Sequence, residues 1–460
     1  MNEPMAGQTV ERRLGRRDVE ITSSSQQAVR ALDDAILGLA SHRAATAAHL
    51  RAALEADPGL VVAHCMAGFG ARLLGRRDAW PDAHRSAAKA RASLEARGGT
   101  EREELLTRSL EAWCAGAPLA AVDHLESALA RTPLDLLTVK LSHALQFMLG
   151  RPSGMRRSLE RVLPAWEARD TPGRGLVLGC YAFVLNETGE VGRAERVGRA
   201  ALEEDPIDPW GVHAVTHALY TVGRLREGLA WLAAHERSLE GANNFAGHVH
   251  WHRALLLIAL DELDEVLRIH DEHVAIHGTR DYRDVVNAAT LLYRLERLGA
   301  HVGNRWDVLV EAASARLGDH ALGFADVHYV LALVRGGKLA DASRFVASMQ
   351  AAASARVGVE AETTRDVAVP VAEAFVATSD RPDQTVSTLA SIAPSLLRLG
   401  GSRAQREIFD LVLADAYVRE RELESPRPRR SRTSRESASR SRASRSSAVA
   451  VDSISARPRV

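Results

Sequence analysis

Residues 182–206 read A-F-V-L-N-E-T-G-E-V-G-R-A-E-R-V-G-R-A-A-L-E-E-D-P, and their pattern decides the fold. Ala182, Gly189, Ala194, Ala201 and Pro206 occupy the small, turn, small, small and closing positions of a helix–turn–helix unit. The glycine ends the first helix because it takes a left-handed backbone conformation without steric penalty. The alanines let the two helices approach closely. The proline stops the second helix and starts the next connection. Gly116, Ala121, Leu125, Ala128 and Pro133 repeat the scheme. Outward from these two units, apolar residues at three-to-four spacing run from Ser25 to about Leu423, with no strand-like alternation. The breaks fall at Gly75, Gly116, Gly150, Gly189, Gly223, Asp261, Gly299 and Gly336, spaced 41, 34, 39, 34, 38, 38 and 37 residues apart.

A period near 34 with this punctuation is the signature of tetratricopeptide repeats, two antiparallel helices per unit. The sequence therefore predicts an all-α fold, a tetratricopeptide-repeat-like right-handed α-solenoid of about eight to nine helix pairs. Residues 26–423 form the solenoid, with Arg403 to Leu423 as the helix that caps it. Residues 1–25 are polar and read as a flexible leader. Residues 424–460 are rich in Arg and Ser, lack core-forming side chains, and read as a disordered tail.

Lys plus Arg and Asp plus Glu balance at 59 each, so the whole chain offers no bulk attraction for nucleic acid or membrane. From Ser425 onward there are ten Arg and two acids, which makes this tail the one plausible route to nucleic acid. Its simplest reading is a solvated appendage. No apolar run of about 18 residues is present to cross a membrane. Cys65, Cys114 and Cys180 stand in no metal or redox spacing, which fits a reducing cytoplasm. The oligomeric state is not encoded in any of these features.

Histidine is concentrated between Trp210 and His252. His213/His217 and His248/His252 are each spaced i,i+4, which puts both imidazoles of a pair on one helix face. In a tetratricopeptide repeat the first helix lines the concave groove through positions 2, 5, 9 and 12. With Gly223 as the turn residue, those positions are Trp210, His213, His217 and Tyr220. In the next unit His248 and Trp251 take positions 2 and 5, with His252 beside them. Asp326 and His328 lie on a later first helix, and Glu187 lies near the end of the one before His213. Paired imidazoles with a carboxylate partner, Glu187 or Asp326, suit Zn, Fe or Mn. The competing reading is a polar groove whose histidines bond one another or a metal-free ligand. There is no H-E-x-x-H and no Gly-rich phosphate loop. Trp113, Trp166, Trp231 and Trp306 read as packing between helices. His270, His273 and His277 read as surface or packing residues.

The segments W-G-V-H-A-V-T-H, G-R-L-R-E-G, N-F-A-G-H-V-H-W-H-R-A-L, L-R-I-H-D, G-N-R-W and F-A-D-V-H resemble the tetratricopeptide repeat protein 38 family, over roughly residues 30–400. The resemblance implies the solenoid fold. It also marks Glu187, Trp210, His213, His217, Asn244, Phe245, His248, Trp251, His252, Asp271, Arg305, Trp306, Asp326 and His328 as characteristic positions, together with Gly223, Arg224, Glu227 and Gly228. V-H-W-H and I-H-D depart from the family's usual residues, and the Arg/Ser tail lies outside its pattern. The family brings no agreed biochemical activity. Two functions remain open on the sequence. One is binding of a small ligand or protein segment in a His/Trp-lined groove. The other is a metal-assisted enzyme acting on a small molecule, with the histidines as ligands or acid/base groups.

Overall fold

The computed structural model describes residues 10–275 and 281–424. Among them, helices follow one another as ten antiparallel pairs, from Gln26–Ala40 with Thr46–Ala56 to Val369–Ala377 with Pro382–Ile392, and then a final helix, Arg403–Glu424. The array is therefore an α-solenoid, slightly longer than the turn count suggests. Gly75, Gly116, Gly150, Gly189, Gly223, Asp261 and Gly299 all take positive φ, as their role in ending a helix requires. In the ninth pair this role falls to Gly337 and not to Gly336. Trp113, Trp166 and Trp306 are buried, as expected of packing residues. No described helix is long and apolar enough to cross a membrane. The Arg/Ser tail and His277 lie outside the described residues.

Three features depart from the sequence reading. First, residues 11–23 do not behave as a loose leader. Glu11–Leu14 and Glu20–Ser23 pair as an antiparallel hairpin. Buried carboxylates hold it to the first helices. Glu103 accepts hydrogen bonds from the Thr22 amide (2.9 Å) and hydroxyl (2.7 Å), and Asp57 accepts from the Ser23 hydroxyl (2.8 Å) and the Ser24 amide (2.9 Å). Alternation failed to reveal these strands because each is only four residues long.

Second, Arg403–Glu424 is more than an end cap. It packs with Ala404, Ile408, Phe409 and Val412 in the same core as the Tyr282–Arg297 and Gly323–Arg335 helices. Glu407 accepts from the Tyr220 hydroxyl (3.0 Å), Asp415 accepts from the Tyr293 hydroxyl (2.6 Å), and Arg406 pairs with Glu187 (3.4 Å). Its approach is set by Gly400 and Gly401, both at positive φ. A Cβ on Gly400 would lie 2.6 Å from the Met148 carbonyl oxygen, and one on Gly401 would lie 2.7 Å from the Phe324 ring.

Third, distant repeats touch across the groove. The His42 carbonyl accepts from the Asn243 amide (2.7 Å) and the Ala44 amide donates to Gly241 (3.0 Å). The Arg77 amide donates to Asp319 (2.7 Å), and Trp113 Nε1 donates to Glu360 (3.3 Å).

Replacing Phe409, which is 1% exposed, by Ala should destabilise the protein by about 3–5 kcal/mol in chemical denaturation. Tyr417→Ala, at a 45% exposed position on the same helix, should stay within about 0.5 kcal/mol of wild type. Equal, small effects at both positions would mean that the helix merely caps the array.

Candidate metal centre and cavity

Two neighbouring first helices, Pro209–Thr221 and Phe245–Ile258, carry the histidines. Asp208 caps the former by accepting from the Trp210 amide (3.1 Å) and the Gly211 amide (2.9 Å). The i,i+4 spacing then stacks His213 below His217, and His248 below His252, and the two faces meet. One ligand nitrogen from each of His213, His217, His248 and His252 lies within 4.8 Å of all the others. His213 Nε2 is 3.1 Å from His248 Nε2 and 3.0 Å from His217 Nε2. His248 Nδ1 is 3.0 Å from the Asn287 amide oxygen.

Hydrogen bonding alone does not account for this geometry. A neutral imidazole nitrogen offers either one N–H or one in-plane lone pair. His213 Nε2 therefore cannot bond well to two other Nε2 atoms at once. If His248 donates Nδ1–H to Asn287, its Nε2 is a bare lone pair aimed at the same spot. Both nitrogens of His252 and Nδ1 of His213 have no hydrogen-bond partner among the described residues. A shared cation would engage one nitrogen of each of the four rings. Zn–N bonds of about 2.0–2.1 Å in tetrahedral geometry place nitrogens roughly 3.3 Å apart, close to the His213–His217 and His213–His248 separations. The Asn287 contact is the outer support that metal-bound histidines commonly have.

Burial lowers the pKa of all four rings. It takes His217 down to about 3 and His248 to about 4, the latter partly offset by Asn287. For His213 and His252 burial comes first and the neighbouring imidazoles add to it, holding both well below the usual range. All four are neutral at pH 7 and available as ligands.

The expected carboxylate partners are elsewhere. Glu187 accepts from the Arg403 amide (3.0 Å) and pairs with Arg406. Asp326 faces His320 (3.4 Å), and His328 Nδ1 bonds the Phe324 carbonyl (2.7 Å). No carboxylate belongs to the cluster among the described residues. Both acids lie on the groove side of the array, but the inward-turned C-terminal segment and a neighbouring loop claim them. Tyr220 is taken up by Glu407. Trp251 is fully buried, donates to Thr290 (3.2 Å) and stacks on His248 (ring centroids 5.3 Å). Asp271 and Arg305 form an ion pair on the surface, and Trp306 donates to Glu296 (3.1 Å). These positions fix the scaffold.

His213 and His248 also form part of the wall of a cavity of about 180 Å³, together with Trp210, Asn244 and Phe245. Trp210 stacks on His42 (5.3 Å) and on Phe245 (5.3 Å), and His42 stacks on Phe245 (4.2 Å). Sequence reading missed Lys140, His143, Phe183, His42 and Asn287 in this wall. The signal for two of them was available. Counting back from Gly150 puts Lys140 at position 5, and counting back from Gly189 puts Phe183 at position 9, the same register as His213 and His217.

The depressed histidines give the metal-free protein a defined acid sensitivity. An unfolded histidine titrates near 6.5, whereas these rings resist protonation while folded. Stability should be complete above pH 6.5 and fall as the pH drops toward 4, by about 2 kcal/mol per ring at pH 5. Melting temperatures in EDTA should show this slope, and His217→Leu should reduce it by one ring's share. A flat profile between pH 7 and 5 would contradict the burial of neutral imidazoles.

No protein-family model matches the chain. Among solved structures, the chain is similar to a tetratricopeptide repeat protein from Parabacteroides merdae, at 14% identity and a TM-score of 0.34 over 69% of this chain and 99% of that one. It is also similar to human IFIT1, solved as a dimer with m7Gppp-AAAA, at 15% identity and a TM-score of 0.31 over 72% and 69%. A third is the TPR domain of P58(IPK), at 11% identity and a TM-score of 0.20 over 75% and 88%. These likenesses concern the helical repeat and not the site.

Proposed function

We propose that this tetratricopeptide-repeat protein holds a transition-metal ion in its four-histidine centre and uses it to bind and polarise a small molecule in the adjoining cavity. The observation that carries this reading is the meeting of three Nε2 atoms at 3.0–3.1 Å around His213, which one shared cation explains and imidazole hydrogen bonds do not. An all-imidazole set suits Zn, Cu, Fe or Ni, and the lack of a carboxylate counts against Mn. His213 and His248 belong both to the cluster and to the cavity wall, so an ion with a coordination position beyond the four rings would open toward the cavity. There it would act as a Lewis acid on a carbonyl or activate a bound water.

The cavity volume supports a small ligand over a protein segment. An extended segment needs an open trough, whereas residues 41–44 and 241–243 meet across this one, and Leu399, Gly401 and Gln405 line its other side. We also place the chain with the tetratricopeptide repeat protein 38 type. Its characteristic Trp210, His213, Asn244, Phe245 and His248 converge on one cavity, and a shared ligand explains why such residues travel together. The free cysteines suit a cytoplasmic setting.

Elemental analysis of untagged protein should find about one ion per chain, and a His217→Ala/His252→Ala variant should lose it while keeping its helicity. Asn287→Ala should weaken metal affinity roughly 10–100-fold. Protein that carries no metal and takes up neither Zn nor Fe(II) on reconstitution would leave the imidazoles as a polar packing cluster.

A further inference from the structure

The cavity wall has an unbalanced charge. Among the described residues it contains Lys140 and Arg283 but no Asp or Glu. Arg283 is already paired with Asp281. Lys140 is 8% exposed, and its ammonium has only the Cys180 sulfur at 3.4 Å and the Trp210 ring at 5.1 Å. No carboxylate lies in ion-pair range of it among the described residues. Asp208, which feels its charge, is occupied in capping the Trp210 and Gly211 amides. A buried ammonium with no anion in contact is costly, because its desolvation is offset only by charges further away.

The neighbouring polar atoms lack partners too. Trp210 Nε1, His42 Nε2 and both ring nitrogens of His143 are buried with no hydrogen-bond partner among the described residues. All three residues line this cavity beside Lys140. The ammonium and the indole N–H can only donate, and either imidazole can donate from one nitrogen. A group of unpaired donors around an unpaired positive charge calls for an acceptor that carries negative charge. Much of the rest of the wall is apolar, including Phe147, Phe183, Phe245 and Leu399, and Asn243, Asn244, Asn287, Ser402 and Gln405 add neutral polar groups. Its volume of about 180 Å³ is a little larger than the roughly 150 Å³ that holds benzene.

We propose that the cavity binds a small organic carboxylate, its carboxylate on Lys140 and Trp210 Nε1 and its apolar body between the phenylalanines. One ammonium with neutral donors matches a monoanion. Phosphate sites ordinarily recruit arginine forks or helix N-termini, and the arginine here is committed to Asp281. The inference rests on the reading of the cavity as a ligand site and adds the ligand's class. It does not require the metal.

The test is calorimetric titration of the full chain with benzoate, benzyl alcohol and phenyl phosphate, in metal-loaded and EDTA-stripped forms. Wild type should bind benzoate at least about tenfold more tightly than benzyl alcohol, and Lys140→Met should erase that preference. Metal content of Lys140→Met should equal that of wild type, which separates this site from the histidine centre. Trp210→Phe keeps the ring and removes the donor. It should weaken benzoate several-fold more than benzyl alcohol, and it provides the test if Lys140→Met does not fold. A benzoate preference that persists in stripped protein upholds the carboxylate site even if no metal is ever found. Equal affinity for benzoate and benzyl alcohol, or an unchanged preference in Lys140→Met and Trp210→Phe, overturns it. Tighter binding of phenyl phosphate than of benzoate overturns the carboxylate assignment.

Discussion

The structure depends on the first helices of the middle and late repeats being buried on every side. In Gly323–Arg335, every residue from Phe324 to Leu333 is buried, and in Tyr282–Arg297 the run from Val285 to Leu295 is buried. A helix buried on every side cannot line an open groove. The concave face of this solenoid must be covered, and the chain covers it with its own parts. The final helix supplies Ile408 and Phe409 to the core, and Glu407 and Asp415 to the polar atoms beneath. The loops around His42 and Gly241 meet across the remaining gap. Among the spaces that stay unfilled is a small cavity with unusual chemistry in its wall.

That chemistry works against stability. Each buried polar atom without a partner costs about 1–3 kcal/mol relative to a satisfied one. Trp210 Nε1, His42 Nε2, the nitrogens of His143 and those of His252 lie close together around the cavity and the histidine centre. Elsewhere the core pairs some buried groups and leaves others open, such as Arg102 Nη1 and both amide atoms of Asn186, which have no partner among the described residues. Arg102 and Asp135 form a two-point pair at 2.5 and 3.0 Å, and Trp166 donates to the Pro133 carbonyl at 2.8 Å. The cavity is set apart by having an unpaired ammonium, that of Lys140, among such atoms.

The fold was legible because turn chemistry and small-residue spacing are local. Gly189 and Ala194 report their roles with no knowledge of their neighbours in space. The histidine pairing was legible for the same reason, since i,i+4 spacing fixes a helix face. The partners of those histidines were not legible. Glu187 and Asp326 sit on the correct face, but which carboxylate reaches which ring depends on how the C-terminal segment returns, and that is set by Gly400, Gly401 and contacts some 200 residues apart in sequence, such as Arg406 with Glu187. Asn287 and His42 were invisible for a related reason. Neither holds a standard groove position, and each reaches the site from a helix start or a loop. Lys140 was within reach of the positional count and is one of only three lysines in the chain.

The closure of the groove and the open chemistry of the cavity explain each other. In an open trough, water would satisfy Lys140, His143 and Trp210, and no ligand would be needed. Covering the trough removes that water and raises the cost of every unpaired donor left inside. The same low-polarity surroundings that hold His217 and His248 neutral make any anion or cation that enters interact strongly, because little solvent screens it. Whatever binds there therefore stabilises the closed form over any opened one in proportion to its affinity. The contacts that close the array, His42 with Asn243 and Gly400 beside Met148, would then be coupled to occupancy of the site. A ligand held there would favour the arrangement in which those contacts are made.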